Sequence, residues 1–563
     1  MNKLSQTILP ISLLIIIVLP AIRFFLQPNS YWNMHDDMQV IRQLSMEKCL
    51  LDGQIPCRWV PDAGYEYGYP LFNFYPPLPY IIGLFYRFLG LGLLYTVKLV
   101  AATQIILTAL LMYMLCKSLV GRLGGLLGAV FYTYAPYHAV NIYVRGAMNE
   151  AWASTFFPAV LYFLKETINK PKKFNIIGLS ISFALIILSH NPMALIFSPV
   201  CLLWAFYWLL RLKKINNFRT YLALSFSALL SFSTTAFFLL PVVFETKFVQ
   251  VESMFSGYYS YFVHFATLSQ IFISNYWGDG ASVWGTDDHM SFSVGYLHWI
   301  VPLCLLIYYL YKCIKTKKIN YFLPLFLIMI GFFYLFMTHE RSTPVWKLLV
   351  PIQKIQFPWR FLNPATFMLS LSSIFLVKII KNKLIIIFLV VLVVILNLNH
   401  FYPVTHGPIT DQKKLSGKSW MYLTTSGIYD YLPKTGRIAP QSHPKPPIDQ
   451  VEPADTKLII NSYIRGTNWF KTNITTQSDA KITLATLVFP VTNIYINGLK
   501  QNYSIESEIG RPVLNINSGN SDIYFEITNT PVRTFGNILS FISLLLIIFM
   551  ILYDRLSHRY QRN

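Results

Sequence analysis

The sequence predicts an α-helical polytopic membrane protein of about twelve spans, with a small extracytoplasmic β-sandwich inserted before the last helix. Three observations carry this prediction. The 563 residues are 54% hydrophobic and only 13% charged, roughly half the charged share of a soluble protein of that size. Apolar runs of about 16–22 residues recur along the chain, the length that crosses a bilayer as helix. One long stretch, 401–534, breaks this pattern and ends in strand-like alternation.

The predicted spans lie near 8–26, 94–116, 123–141, 151–166, 175–190, 193–211, 219–241, 294–311, 320–337, 361–379, 383–400 and 535–553. Lys3 precedes the first apolar run, which lacks a small-residue cleavage site, so it reads as a retained helix. Pro76–Leu91 is short, opens on Pro-Pro and carries Arg87. It reads as an interfacial helix on the outer face.

This threading sorts the charges. The formal net charge of +21 sits mostly in short loops: Lys117/Arg122, Lys170/Lys172/Lys173, Arg211/Lys213/Lys214, Lys312/Lys315/Lys317/Lys318, Lys378/Lys381/Lys383 and the Arg555–Arg562 tail. The positive-inside rule makes that side cytoplasmic, so the charge points to a lipid surface and not to nucleic acid. The first 400 residues hold fourteen Asp and Glu, and all but Glu166 fall on the other face. Longer outer loops explain part of this bias. They do not explain Glu150, Glu245 and Glu340, which sit against span ends.

Three parts follow: a membrane region over 1–400 with an outer loop at 27–93, the β-rich stretch at 401–534, and a last helix with a basic cytoplasmic tail at 535–563. The first part of 401–534 is irregular and rich in Pro, Gly and Lys. Its later part alternates in Lys481–Leu487, Asn493–Ile496 and Asp522–Ile527. Asn497-Gly498 is a strong hairpin signal and Asn517-Ser-Gly519 a weaker one. Cys49 and Cys57 are close enough to bridge on an oxidising outer face. Cys116, Cys201, Cys304 and Cys313 read as small apolar residues.

Candidate chemistry gathers on the outer face. His35-Asp36-Asp37 stands about ten residues past the first span, in a loop dense in Tyr, Trp and Pro. Ionised carboxylates beside lipid are costly, so they mark sites. Two together hold a divalent cation such as Mg or Mn, or one acts as a base while the other positions it. The alternative is a helix N-cap, since a helical stretch follows at Met38–Leu51; of the two, Asp37 is the first choice for a catalytic role. Arg145 and Glu150 read either as a pair at the next helix start or as contacts for a phosphate and a sugar hydroxyl. His190 stands in a polar break between spans and Glu245 closes one. Trp359-Arg360 enters the tenth span directly, so Arg360 needs an anion there. That anion is a carboxylate such as Glu340, or a lipid phosphate, which a planar guanidinium fork suits. Trp277-Gly-Asp-Gly280 and Asp287-Asp288-His289 read as solvated loop acids, with metal binding as the alternative. No Gly-rich phosphate loop and no Ser/His/Asp set is present.

These residues resemble those of the GT-C superfamily of integral-membrane glycosyltransferases, through the acidic pair after the first helix and Pro76-Pro-Leu-Pro-Tyr80. Tyr143-Val-Arg-Gly-Ala147 with Glu150, Phe237–Pro241 with Glu245, and Gln356-Phe-Pro-Trp-Arg-Phe361 resemble, more narrowly, a bacterial membrane family described as 6-pyruvoyl-tetrahydropterin synthase-related. No zinc histidines of a soluble pterin enzyme accompany them. The likeness spans roughly residues 8–400. It implies a polyprenyl-phosphate-linked sugar donor, an extracytoplasmic glycan, lipid or protein acceptor, and inversion at the anomeric carbon. It assigns Asp36/Asp37 as base or cation holder, Arg360 to the donor phosphate, and Arg145 and Glu150 as further polar contacts. A competing reading is a non-enzymatic carrier or export partner for lipid-linked glycans. Its expected mark is polar residues deep in several spans, for which Lys98, Gln104 and Asn397 are the candidates.

Overall fold

The computed structural model describes residues 5–285, 287–316 and 321–560. Lys3, Lys317, Lys318 and Arg562 lie outside the described residues.

Every predicted span forms helix, but not always one unbroken helix. Six are long and apolar enough to cross a membrane alone: Leu93–Val120, Asn191–Arg211, Tyr296–Thr316, Pro358–Ile379, Lys383–His400 and Pro531–Tyr553. Two bent pairs raise the number to eight if each is one span. Phe218–Thr234 turns by 73° into Ala236–Phe248, and Phe322–Phe336 by 99° into Glu340–Leu348. Pro10–Ile22 and Lys173–Ser189 are shorter apolar helices. Proline breaks the rest. The predicted 123–141 span stops at Thr133 and resumes at Pro136, and the 151–166 span divides after Thr155, just before Pro158. Six to eight candidate spans therefore stand against the about twelve expected, and the other predicted spans form shorter or divided helices.

Leu93–Val120 runs through the middle of the bundle, and Arg122–Thr133 packs back along it. Small residues make that approach close. A Cβ at Gly128 would lie 2.5 Å from Cys116 Sγ and 2.7 Å from the Ile374 side chain.

The Pro531–Tyr560 helix packs along Ala236–Glu245 and Phe218–Thr234. Arg533, near its start, meets Glu245. Tyr553, twenty residues on, lies under the Lys173 ammonium at 4.0 Å. Twenty helical residues cover roughly 30 Å, the thickness of a hydrocarbon core. One helix thus joins the acid-rich end of the bundle to a lysine-rich end. The Leu78–Phe88 helix, at about 16 Å, is too short to span.

The later chain forms two antiparallel sheets over one core. Strands β1 (Tyr31–Trp32) and β2 (His406–Gly407) pair with each other outside them. One sheet contains β3 (Ile448–Glu452), β6 (Ala480–Leu484), β10 (Pro512–Ile516) and β9 (Ser504–Ile505), in that order. The other runs β4 (Leu458–Arg465), β5 (Trp469–Thr476), β11 (Gly519–Ile527), β7 (Thr492–Ile496), β8 (Leu499–Lys500). Ile482, Leu484 and Leu514 from the first share a core with Phe470, Ile494 and Phe525 from the second.

Asn497-Gly498 is the expected hairpin turn, both residues at positive φ and Ile496 opposite Leu499. Asn517-Ser-Gly519 is not a hairpin: β10 and β11 lie in different sheets, so the turn crosses between them. The two apolar faces on either side of it fill one core, which an alternating pattern alone does not distinguish from two paired strands.

The sheets rest on the 27–93 loop. Asp52 accepts from the Thr467 amide and hydroxyl, each at 2.7 Å, and Tyr67 donates to Asp449 at 2.8 Å. Asp411 reaches back to the membrane region and caps the helix at Leu93 and Leu94, at 2.6 and 3.0 Å. Cys49 and Cys57 form a disulfide within the loop.

Candidate functional site

The site grows from a local irregularity. Pro136–Ala139 runs into a π-helical turn at Val140–Val144. π turns of this kind recur at functional positions. The wider turn folds Arg145 back on its own segment, where Nη1 donates to Asn141 Oδ1 at 2.5 Å. Gly146 then takes φ +69°, and the chain re-enters helix at Met148 with Glu150 in its first turn. A side chain at Gly146 would be blocked: a Cβ there would lie 2.5 Å from Met34 Sδ and 2.9 Å from the Asp36 carbonyl oxygen.

Glu150 is 1% exposed and gathers four partners. Arg145 Nη2 donates to Oε2 at 3.0 Å, and Arg360 Nε makes an ion pair with the same oxygen at 3.4 Å. Asn363 Nδ2 donates to Oε1 at 2.6 Å and the Tyr137 hydroxyl does so at 3.3 Å. Asn363 Oδ1 in turn accepts from Asn141 at 3.0 Å. Arg360 Nη1 donates to Ile355 O and Gln356 Oε1, at 2.6 and 3.0 Å. The indole of Trp359 covers the Arg145 guanidinium at 4.1 Å. His190 caps the next helix, its Nδ1 accepting from the Met193 amide, and lies within electrostatic reach of Glu150 and Arg360. Two guanidinium groups on one carboxylate leave one net positive charge in a mostly buried place. Such a charge is stable only beside an anion.

The acidic pair lies against this group through backbone. The His35 amide donates to Val144 O and the Asp36 amide to Arg145 O, both at 2.9 Å. Neither aspartate caps the Gln39–Leu51 helix, whose N-cap is Met38 with no side-chain bond. Instead the two part. Asp36 takes Arg42 on both oxygens, at 3.0 and 3.4 Å, and its charge reaches Arg145. Arg42 also donates to the Tyr75 hydroxyl at 2.9 Å. Asp37 turns the other way and pairs with Lys414, from the stretch after the Lys383–His400 helix, whose ammonium lies 5.5 Å over the Tyr31 ring. Its Oδ1 is buried and without a partner, and burial raises its carboxyl above the usual range against the opposing pull of Lys414.

One carboxylate of this site was hidden in the sequence. Asp430 ends a short turn after Gly427, inside the Pro/Gly/Lys-rich stretch that showed no pattern. Tyr431 beside it stacks on Phe74 at 5.3 Å, which holds Asp430 over the loop. Asp430 makes no ion pair among the described residues. Its charge is felt by the Tyr69, Tyr259 and Tyr431 phenols, and it faces Arg42 and Asp36. Burial, against Arg42 and with Asp36, pushes its carboxyl up to about 6. Asn363 was also missed, though it stands three residues after Arg360 on one helical path.

Other expected members lie elsewhere. Glu340 is exposed and is not the partner of Arg360; its segment turns away after the 99° bend, and Glu150 takes that place. Glu245 belongs to a second group with Arg533, Asn73 and Thr530. His35 is exposed beside the pair. The arrangement does not fit a Mg or Mn ion on Asp36 and Asp37: each carboxylate already faces its own cation, and among the described residues no three His, Cys, Asp or Glu converge.

A family model described as "6-pyruvoyl-tetrahydropterin synthase related domain; membrane protein" matches residues 72–403. No curated protein matches the sequence. Solved structures resemble it loosely, three of them as follows. An Archaeoglobus fulgidus oligosaccharyltransferase in the apo form has a TM-score of 0.42 and 12% identity over 79% of this chain. The archaeal oligosaccharyltransferase AglB from the same organism, in complex with an inhibitory peptide and a dolichol-phosphate, has 0.38 and 13% over 78%. ArnT from Cupriavidus metallidurans, bound to undecaprenyl phosphate, has 0.34 and 13% over 67%. The chain spans 62%, 61% and 61% of those three proteins.

Proposed function

This chain belongs to the 6-pyruvoyl-tetrahydropterin synthase-related family of membrane proteins, and we propose that it is a membrane glycosyltransferase. It would move a sugar, with inversion, from a polyprenyl-phosphate donor to a glycan, lipid or protein on the extracytoplasmic face. The observation that carries this reading is the pair of guanidinium groups on Glu150. Their surplus charge suits a phosphate at the membrane end, and planar forks suit its oxygens.

In the reaction, an acceptor hydroxyl oxygen bonds to the anomeric carbon as the bond from that carbon to the phosphate oxygen breaks. Polyprenyl phosphate leaves with the electron pair, and Arg145 and Arg360 stabilise its charge. The hydroxyl proton passes to a carboxylate. Asp36 faces Arg145, and Asp430 has a carboxyl near the working pH, so these two take the acceptor side. Asp37 acts through Lys414, holding the outer stretch in place.

The carrier reading has less support. Lys98 donates to Ser30 O at 2.7 Å, Gln104 to Thr155 Oγ1 at 2.6 Å, and Asn397 to Val393 O at 2.9 Å. Each closes on its neighbourhood instead of lining a path.

Incubating detergent-purified full chain with radiolabelled polyprenyl-phosphate sugar and envelope acceptors tests the proposal. Label leaving the lipid with wild type, and staying on it with Asp36→Asn, is expected. Tight donor binding with no label transfer to any acceptor would favour the carrier.

A further inference from the structure

The Glu245 group lies apart from the reaction site. Asn73 serves the former and Tyr75, two residues on, the latter. Glu245 accepts from Arg533 Nε at 2.9 Å, Asn73 Nδ2 at 2.8 Å and the Thr530 hydroxyl at 2.5 Å. Arg58 stands beside it with neutral partners alone: Asn73 Oδ1 at 3.1 Å, Phe237 O at 2.9 Å and Asn537 Oδ1 at 2.8 Å. Arg58 is 6% and Arg533 2% exposed, and each keeps one buried nitrogen, Nε and Nη2 respectively, with no hydrogen-bond partner. Two buried cations therefore share one carboxylate. Burial and the neighbouring Arg533 push the Arg58 guanidinium down to about 9.

Both arginines line a cavity of about 270 Å³ between the outer loop, the sheets and the last helix. Asp52 also lines it, but its carboxylate is occupied by Thr467 and Trp469, and it does not figure among the charges acting on Arg58. An apolar groove of about 470 Å³ adjoins the cavity, sharing Gln54, Ile55 and Pro56 with it. Leu50, Ile81, Leu84, Phe237, Phe541 and Leu544 line the groove, so it opens between the short interfacial helix and the first turns of the last span. Asn537 lines it too and bonds Arg58.

We propose that this is a second lipid site, taking a phosphate-headed membrane lipid with its phosphate at Arg58 and Arg533 and one chain in the groove. The continuity of a cationic cavity with an apolar groove at the membrane edge is what selects a lipid over a soluble anion. The site is independent of the transferase reading, because its readout is binding and not sugar transfer.

Native mass spectrometry of the detergent-purified full chain, titrated with dioleoyl phosphatidic acid or with inorganic phosphate, tests it. Arg58→Gln removes a charge-assisted contact and should weaken lipid binding roughly tenfold. Leu544→Trp fills the groove and leaves the arginines, so it decides the matter if Arg58→Gln fails to fold. It should weaken lipid binding and not phosphate binding. Equal phosphate and lipid affinity, with no effect of Leu544→Trp, would overturn the lipid site in favour of a plain anion site. Lipid binding untouched by both variants would overturn the proposal altogether.

Discussion

Arg360 Nε lies 3.4 Å from Glu150 Oε2, joining the start of the Pro358–Ile379 span to a helix start more than two hundred residues earlier in the chain. Arg145 shares the same oxygen at 3.0 Å. Among the described residues Glu150 is therefore the one carboxylate paired directly with both buried arginines. Glu150→Gln should lower stability by about 3–5 kcal/mol, because it strands both. A thermal melt in detergent checks this, and an unchanged Tm would mean the arginines are held by something else.

The acidic pair divides its work. Asp36→Asn should abolish transfer with normal expression, since Asp36 faces Arg145. Asp37→Asn should keep measurable transfer and lose stability through Lys414. Combined with Lys414→Gln it should cost less than the sum of the single changes, with a coupling of about 0.5–3 kcal/mol. Comparing melts and rates of the four proteins separates the roles; a dead Asp37→Asn beside a live Asp36→Asn would reverse them.

Asp430 predicts a pH dependence. Its carboxyl sits at about 6, above the ordinary ~3.9 of an unfolded Asp. The folded chain thus holds this proton more tightly, so the contribution to stability is present below ~4 and is lost as pH rises through about 6. Base work needs the opposite form. Donor-saturated rates should climb through about pH 6 in wild type, and Asp430→Asn should be slow with no such limb. A wild-type profile flat from pH 5 to 8 would remove Asp430 from the proton path.

Gly146 tests how the loop carries the pair. Gly146→Ala puts a Cβ against Met34 and the Asp36 carbonyl at a φ of +69°. It should cost about 1–3 kcal/mol and reduce transfer, as Asp36 is displaced from Arg145. Wild-type stability and activity in this variant would show that the contact is not needed.

Much of the fold was legible because its determinants are local. Apolar runs marked the helical segments at the predicted spans, and Asn497-Gly498 marked a turn that needs two residues at positive φ. The proline breaks at Pro136 and Pro158 were visible as residues but not as bends, since neighbouring helices decide whether a proline kinks or divides a span. The site was legible where charge had to be near lipid: Asp36, Arg145, Glu150 and Arg360 stand out on that ground alone. Their pairing was not. Glu340 is much nearer in sequence to Arg360 than Glu150 is, and only the packing of the Leu362–Ser373 helix near Met148–Thr155 selects the distant partner. Asp430 had no signal, because a lone Asp in an irregular stretch looks like any solvated turn until Tyr431 stacks it over the loop.

The central claim is that the two arginines on Glu150 bind the donor phosphate. Steady-state transfer by Arg360→Ala, with donor and acceptor varied in turn, tests it most directly. The account predicts a donor KM raised roughly tenfold or more with the acceptor KM little changed, the loss of one charge-assisted contact. An equal effect on both substrates, or none on the donor, would contradict it.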